Sequence, residues 1–193
     1  MSDFAELVRA ARTCRRFEED KPVSAEILRH LVDTARITSS AANLQPLRYY
    51  IVSSPDVCAQ VFPNAKWAGA LPQWSGPDEG ERPRGYIVVC ATQPDKAMTH
   101  YDLGIVVQTM QLHAFSLGLG CCIFNNFSRE PLRETLNIPA DLDICMLLAF
   151  GVAKEVRHIV DAKIGDSLKY WRDEQQVHYV PKLTLGQVLL DEK

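Results

Sequence analysis

Hydrophobic and polar positions along the chain fall into alternating helical and extended patterns, and the longest pattern runs from Thr99 to Phe127. Leu103, Val106, Val107, Met110, Ala114 and Leu117 recur at helical spacing, with Ile105, Leu112, Phe115 and Leu119 on the other sides. The spacing predicts a helix that is apolar nearly all round, which is the mark of a buried one. Thr99 with Asp102 fits a capping pair at its start, and Gly118 and Gly120 supply its end. Cys121 to Phe124 then reads as a short buried strand delivering Asn125, Asn126 and Phe127 into a loop. Gln108, Gln111, His113 and Ser116 make the helix too polar to span a bilayer.

The remaining elements follow the same logic. Ser2 and Asp3 can cap a first helix with Phe4, Leu7, Val8 and Ala11 on one stripe, and Ser24 caps a second whose stripe is Ile27, Leu28, Leu31, Val32 and Ala35. Residues 48–53 and 85–91 read as strands, the second a continuous apolar run of the kind covered on both faces. Pro55 to Phe62 makes a short helix, residues 129–138 a helix that Pro139 terminates, and 143–151 another central strand. Pattern is lost from Val152 until Thr184, so 152–193 is expected to be an extended tail with little core of its own, crossing the surface or embracing a partner subunit. Helices flanking a sheet of about four to five strands give an α+β architecture in one domain, 1–193.

Composition narrows the function. Lys plus Arg number 21 against 24 for Asp plus Glu, a net charge of −3 that offers no basic excess for nucleic acid. The amphipathic N-terminus lacks the apolar core of a signal peptide, so a cytoplasmic protein is expected. The six cysteines lack C-x-x-C spacing and read as buried apolar residues in a reducing compartment. The five histidines have no carboxylate or cysteine partners at ligand spacing, and no metal site is expected. A G-x-S-x-G elbow, a Walker loop and H-E-x-x-H are all missing, and the G-x-G at Gly118 to Gly120 closes a helix where a dinucleotide fingerprint would open one. No residue stands out as an acid, base or nucleophile.

Three stretches carry candidate binding chemistry. Arg12, Thr13, Cys14, Arg15 and Arg16 form either a solvated basic face or, in an extended turn, an anion site in which Arg12, Thr13 and Arg15 converge. Ser40, Ala41, Asn43 and Gln45 lie in a loop of small hydroxyl and amide residues, an ordinary turn or a surface that a flat heterocycle can approach. Residues 63–84 are rich in Pro and Gly around Trp67 and Trp74, a composition suited to a binding loop, though the two rings equally suit packing.

Four segments in order, RTCRRF, SSAANLQP, DLGIVVQTMQLHAFSLGLGCCIF and KYWRDEQQVHYVPKLTL, resemble the FMN-dependent nitroreductase family, the last being similar to the YWRDE and V-P-K tail of a compact subgroup. The resemblance covers nearly the whole chain. It implies a nitroreductase-like α+β fold with a central mixed β-sheet, a domain-swapped C-terminal tail, and a homodimer with FMN at the interface. It further implies a ping-pong NAD(P)H oxidoreductase that takes hydride from NADH or NADPH and reduces a nitroaromatic, quinone or similar small-molecule electron acceptor. A flavin-binding or storage module, or an enzyme acting on flavin or a halogenated aromatic, is the alternative on the same fold. By resemblance, Arg12, Thr13 and Arg15 hold the flavin, with Arg12 nearer the phosphate and Arg15 nearer the pyrimidine edge. Ser40, Ala41 and Asn43 approach the flavin of the other subunit and Gln45 lies nearby, toward the substrate side, while Ile123, Asn125 and Asn126 form the loop beside its reactive face. Lys182 meets the phosphate. Ala11, Thr13 and Leu183 depart from the common pattern, which bears on how tightly the phosphate is held.

Overall fold

The structure is a computed structural model and describes residues 3–94 and 96–193; Ser2, expected to help cap the first helix, lies outside the described residues. Four strands, β1 (Leu47–Val52), β2 (Gly85–Ala91), β3 (Leu119–Phe124) and β4 (Asp143–Val152), form a sheet in the order β1-β2-β4-β3. All three pairings within it are antiparallel.

Why the sheet is covered on both faces is written in β2, where every residue is buried. Ile87, Val89 and Ala91 point to one side, packing with Leu28, Leu31, Val106, Met110 and Phe150. Tyr86, Val88 and Cys90 point to the other, with Val61, Leu132 and Leu147. The first layer comes from α2 (Ala25–Arg36) and α4 (Ala97–Ser116), the second from α3 (Pro55–Val61) and α5 (Arg129–Leu136). The result is the layered α+β arrangement expected from the pattern. Ser24 caps α2 as expected, its Oγ accepting from Ile27 N at 3.2 Å. Asp3 caps α1 (Phe4–Ala10), accepting from Ala5 N.

Several local expectations are corrected. Helix α4 begins two residues before Thr99, with Lys96 at the N-cap position and no side-chain cap, because the Thr99 hydroxyl donates instead to Gln93 O at 2.7 Å and Asp102 is engaged elsewhere. Nor is α4 buried all round: Met98, Tyr101 and Ile105 are 50%, 62% and 39% exposed. Asn137, in the left-handed conformation, ends α5 before Pro139 is reached.

The chain beyond Val152 has more structure than its pattern announces. Strands β5 (Arg157–Ala162), β6 (Trp171–Arg172) and β7 (His178–Leu183) form a second sheet in the order β5-β7-β6, with β5 and β7 parallel. Parallel pairing is therefore confined to this second sheet, and a short helix, α6 (Leu185–Val188), follows it. The N-terminal segment docks on the first sheet through a bridge between Phe17 and Ala153, just past β4, and a bond from Cys14 N to Cys121 O of β3, and meets the second sheet where Arg157 Nη1 of β5 donates to Arg12 O.

Candidate functional site

A cleft of about 330 Å³ opens where the residue 11–15 segment, the middle of α4, β3 and the second sheet meet; Arg12, Thr13, Arg15, Ile123 and Lys182 line it together with Gln108, Gln111, Tyr170 and His178. Residues separated by up to 170 positions are thus brought to one place. The turn after α1 is fixed by two backbone contacts, Arg12 N to Ala10 O and Cys14 N to Cys121 O. Gly120 makes this approach possible, since a Cβ there would stand 2.7 Å from both Cβ and Sγ of Cys14. Burial pushes the Cys14 thiol up to about 11, so it stays protonated and inert beside the arginines.

Arg15 is held from three sides. Its backbone amide donates to Glu155 Oε2 at 2.9 Å, its guanidinium lies 4.5 Å above the Tyr170 ring, and its Nη1 approaches His178 Nε2 at 3.4 Å. Arginine can only donate, so His178 Nε2 accepts and the ring proton sits on Nδ1, which faces Glu155 Oε1 at 3.7 Å. Burial pushes His178 down to about 4, with the neighbouring Glu155 opposing and Arg15 reinforcing the shift; the ring is neutral near pH 7. Glu155 itself, with a side chain wholly out of water, takes two bonds from Arg172 at 2.6 and 3.1 Å.

The balance of charge is one-sided. Among the described residues no acidic side chain lines the cleft, and the Glu155 carboxylate beside it is taken up by Arg172 and the Arg15 amide. Arg12 and Arg15 form no ion pair among the described residues. Arg12 Nε and His178 Nδ1 are buried without a hydrogen-bond partner. Such a cleft suits an anionic ligand whose acceptor groups match its unused N–H donors.

The loop at 40–45 lies elsewhere. Ser40 and Gln45 line a separate hollow of about 180 Å³ with Asp102, Val106 and Arg48. Asp102 organises it, accepting from Ser40 Oγ at 2.6 Å and from Ala41 N at 2.9 Å. Ser40 Oγ in turn accepts from Gln45 N, and Gln45 Nε2 donates to Asn43 Oδ1. Ala42, Asn43 and Gln45 all have positive φ, 48°, 54° and 48°. Three such residues in a row of four are a local strain that the Asp102 anchor sustains, and strain of this kind concentrates at binding sites. Asp102 and Gln111 are nine residues apart on α4, which at about 100° per residue puts them on opposite sides of the helix. One chain therefore does not bring its cation cluster and its 40–45 loop onto one small ligand.

Asn125 and Asn126 have exposed side chains and do not line the cleft; their carbonyls accept from Arg129 Nη2 and Lys66 N. Through Lys66 they border a third hollow, about 340 Å³, walled by Phe62, Pro63, Trp67 and Trp74. Arg172, which also bonds Glu155, lies 4.1 Å over Trp74, and Tyr170 of the cleft accepts from Ala70 N through Oη, so Tyr170 links the tryptophan loop to the cleft. Sequence reasoning missed Glu155, Tyr170, Arg172 and His178 as site residues. Tyr170, Arg172 and His178 stand in the KYWRDEQQVHYVPKLTL segment that carries the resemblance, which gave them no role, and Glu155 lies outside it. Among the described residues no group of three metal-ligating side chains converges, and no helix is long and apolar enough to cross a membrane.

Comparison with known proteins bears on this geometry. A family model described as the nitroreductase family matches residues 8–152. A protein of Archaeoglobus fulgidus described as a candidate NADH dehydrogenase/NAD(P)H nitroreductase is 23% identical over 171 residues, 84% of this chain and 92% of its own. Among solved structures, a nitroreductase family protein of Clostridium novyi superposes with a TM-score of 0.67 at 22% identity, covering 79% of this chain and 86% of its own. A nitroreductase of Desulfitobacterium hafniense, solved with bound FMN, gives 0.61 at 20% identity, covering 80% and 90%. At these identities the two structures speak for a shared fold.

Proposed function

The chain belongs to the nitroreductase family, and we propose that it is an FMN-dependent oxidoreductase that takes hydride from NADH or NADPH and passes two electrons to a small-molecule acceptor, a nitroaromatic or a quinone. The observation that carries this reading is the cleft of surplus cations, Arg12, Arg15 and Lys182, with unpartnered buried nitrogen atoms and no acid on its lining. These residues fit FMN: an anionic phosphate answers Arg12 and Lys182, and the hydrogen-bonding edge of a flavin answers Arg15 and Gln111.

When bound, FMN supplies the two-electron chemistry, and the protein supplies position and field. Among the described residues no carboxylate pairs with the Arg15 guanidinium, so it is left to face the ligand, and Tyr170 and neutral His178 fix that group in place. A cation so fixed favours negative charge developing on a neighbouring ring without having to reorganise.

The working unit in this reading is a homodimer. Exposed Tyr101, Ile105 and Met98 run along one side of α4, and a second copy covering them would remove that apolar surface from water. It would also bring the 40–45 loop of one chain to the cation cleft of the other, which the opposite placement on α4 prevents within one chain. Alternate use of one cleft by nicotinamide and acceptor predicts ping-pong kinetics.

The test is a visible spectrum of the purified protein under anaerobic conditions, before and after NADH or NADPH. A two-band flavin spectrum that bleaches with either nucleotide and returns with a quinone or nitroaromatic is expected. A flavin that stays oxidised contradicts the oxidoreductase and favours a binding module; a colourless protein that takes up no added FMN contradicts the cofactor.

A further inference from the structure

The long loop after α3 holds three aromatic rings around one hollow. Phe62, Trp67 and Trp74 wall it together with Pro63, Lys66 and Ser75, and its volume is about 340 Å³. Trp67 is anchored on β3: its ring meets Phe124 edge to face, with centroids 4.7 Å apart and planes at 85°. Trp74 stands at 78° to Trp67 with centroids 6.3 Å apart, so the two rings form a corner rather than a stack. Gly76, at φ +131°, lets the loop close on the first ring, since a Cβ there would stand 2.7 Å from Trp67 Cδ1. The second ring is held by Arg172, itself bonded to buried Glu155.

Charge selects what these walls suit. Among the described residues no acidic side chain lines the hollow, and Lys66, the charged residue that does, is exposed and forms no ion pair. Arg82 lies 4.8 Å over Phe62 as Arg172 lies over Trp74, so a cationic occupant would meet like charge on three sides. Trp67 Nε1 is buried without a hydrogen-bond partner, which leaves a donor unanswered. Ring faces with an unpaired cation and a spare donor suit a flat aromatic ring that carries an anionic group. The hollow also adjoins the cleft: Lys66 N donates to Asn126 O at 3.2 Å, and Tyr170, which lines the cleft, accepts from Ala70 N at 3.3 Å.

We infer that this hollow binds an aromatic carboxylate, with Trp74 supplying a ring face and Lys66 the counter-charge, and that the electron acceptor docks there. The acceptor role rests on the oxidoreductase reading above; the binding site does not. The competing role is packing, in which the rings do no more than close the loop onto β3. Packing selects no small aromatic by its charge, whereas a site with Lys66 at its rim does. The anion 4-nitrobenzoate and the neutral 4-nitrobenzamide share ring and size, so their comparison separates the roles.

The experiment is calorimetric titration with each probe of the wild type, Lys66→Gln and Trp74→Leu, without nicotinamide and with FMN added to saturation so that the cation cleft is occupied. The wild type is expected to bind 4-nitrobenzoate about two- to fivefold more tightly than 4-nitrobenzamide, and Lys66→Gln to abolish that preference while leaving the amide unchanged. Trp74→Leu weakens both probes by about 3- to 10-fold. In turnover with NADH or NADPH, KM for 4-nitrobenzoate rises by the same factors and KM for the nucleotide does not move. Equal binding of the two probes by the wild type, a preference that survives Lys66→Gln, or titrations unaffected by Trp74→Leu overturns the site. Weakened binding with KM for 4-nitrobenzoate unmoved overturns the acceptor role. A protein whose visible spectrum shows no bound FMN overturns the flavin reading, and the titrations still decide the hollow. Lys66→Gln alters an exposed side chain, so the charge comparison stands even if Trp74→Leu does not fold.

Discussion

Glu155 and Arg172 form an ion pair at 2.6 Å with side chains 0% and 7% exposed, and this pair closes the back of the cleft. The same carboxylate receives the Arg15 amide, so one buried group ties the N-terminal turn to the C-terminal sheet. Removing one partner leaves an uncompensated charge inside the protein. Glu155→Ala is expected to lower stability by about 3–5 kcal/mol, read as a shift of the urea unfolding midpoint. Replacing both Glu155 and Arg172 by methionine should be markedly milder than Glu155→Ala. A double variant as unstable as the single one contradicts the buried-charge account.

Acid should destabilise the protein in two successive windows. His178 is held down from 6.5 to about 4 by burial, so the unfolded chain takes up its proton first and stability falls as pH drops from about 6.5 to about 4. Glu81, which accepts from Arg16 and pairs with Lys154, is held down from 4.5 to about 2; its contribution is present above 4.5 and lost as pH falls toward 2. Each window is worth up to about 3 kcal/mol. Unfolding curves measured across pH should lose the upper window in His178→Gln and the lower one in Glu81→Gln.

Asp102 on α4 holds the strained 40–45 loop through the Ser40 hydroxyl and the Ala41 amide. Asp102→Asn keeps the volume but turns one acceptor into a donor facing a donor. A loss of about 1–3 kcal/mol is expected. Bound FMN should weaken in parallel, measured by flavin fluorescence, because the loop no longer keeps its positive φ values. Unchanged flavin affinity would separate the loop from the site.

Gly120 packs directly against Cys14, and its replacement by alanine has only backbone-near atoms to push aside. Gly120→Ala should cost about 1–3 kcal/mol in unfolding free energy. It should also displace the arginine turn, lowering FMN retention on gel filtration, whereas Gly104→Ala, with nothing within 4 Å, should leave retention unchanged.

How much of this was legible depends on where burial left a pattern. Strands β2 and β4 are covered on both faces and read directly as apolar runs, and α2 announced itself by Ser24 and a single stripe. The cap of α4 was misread because a Thr three residues before an Asp is as well placed to bond Gln93 O, and Asp102 was spent on a loop sixty residues earlier. Strands β5 and β7 escaped notice because RHIVDA and HYVPKL are half-buried, polar-interrupted and paired across the sequence, and Pro181 speaks against a strand. The site divided in the same way. Arg12, Thr13, Arg15, Ile123 and Lys182 do share a cleft, and the 40–45 residues do form one unit. Buried Glu155 and His178 could not be told from surface charge without the sheet that encloses them.

The central claim is that two chains build each flavin site, one giving Arg15 and the other the 40–45 loop. The direct test mixes Arg15→Ala with Asn43→Trp chains by co-expression under separate tags and measures FMN bound per chain. Each variant alone should bind little. Random pairing should restore about a quarter of the sites, because half the dimers are mixed and one of their two sites is intact. Mixed samples that bind no more FMN than the parents would contradict the shared site, and with it the dimer account of this cleft.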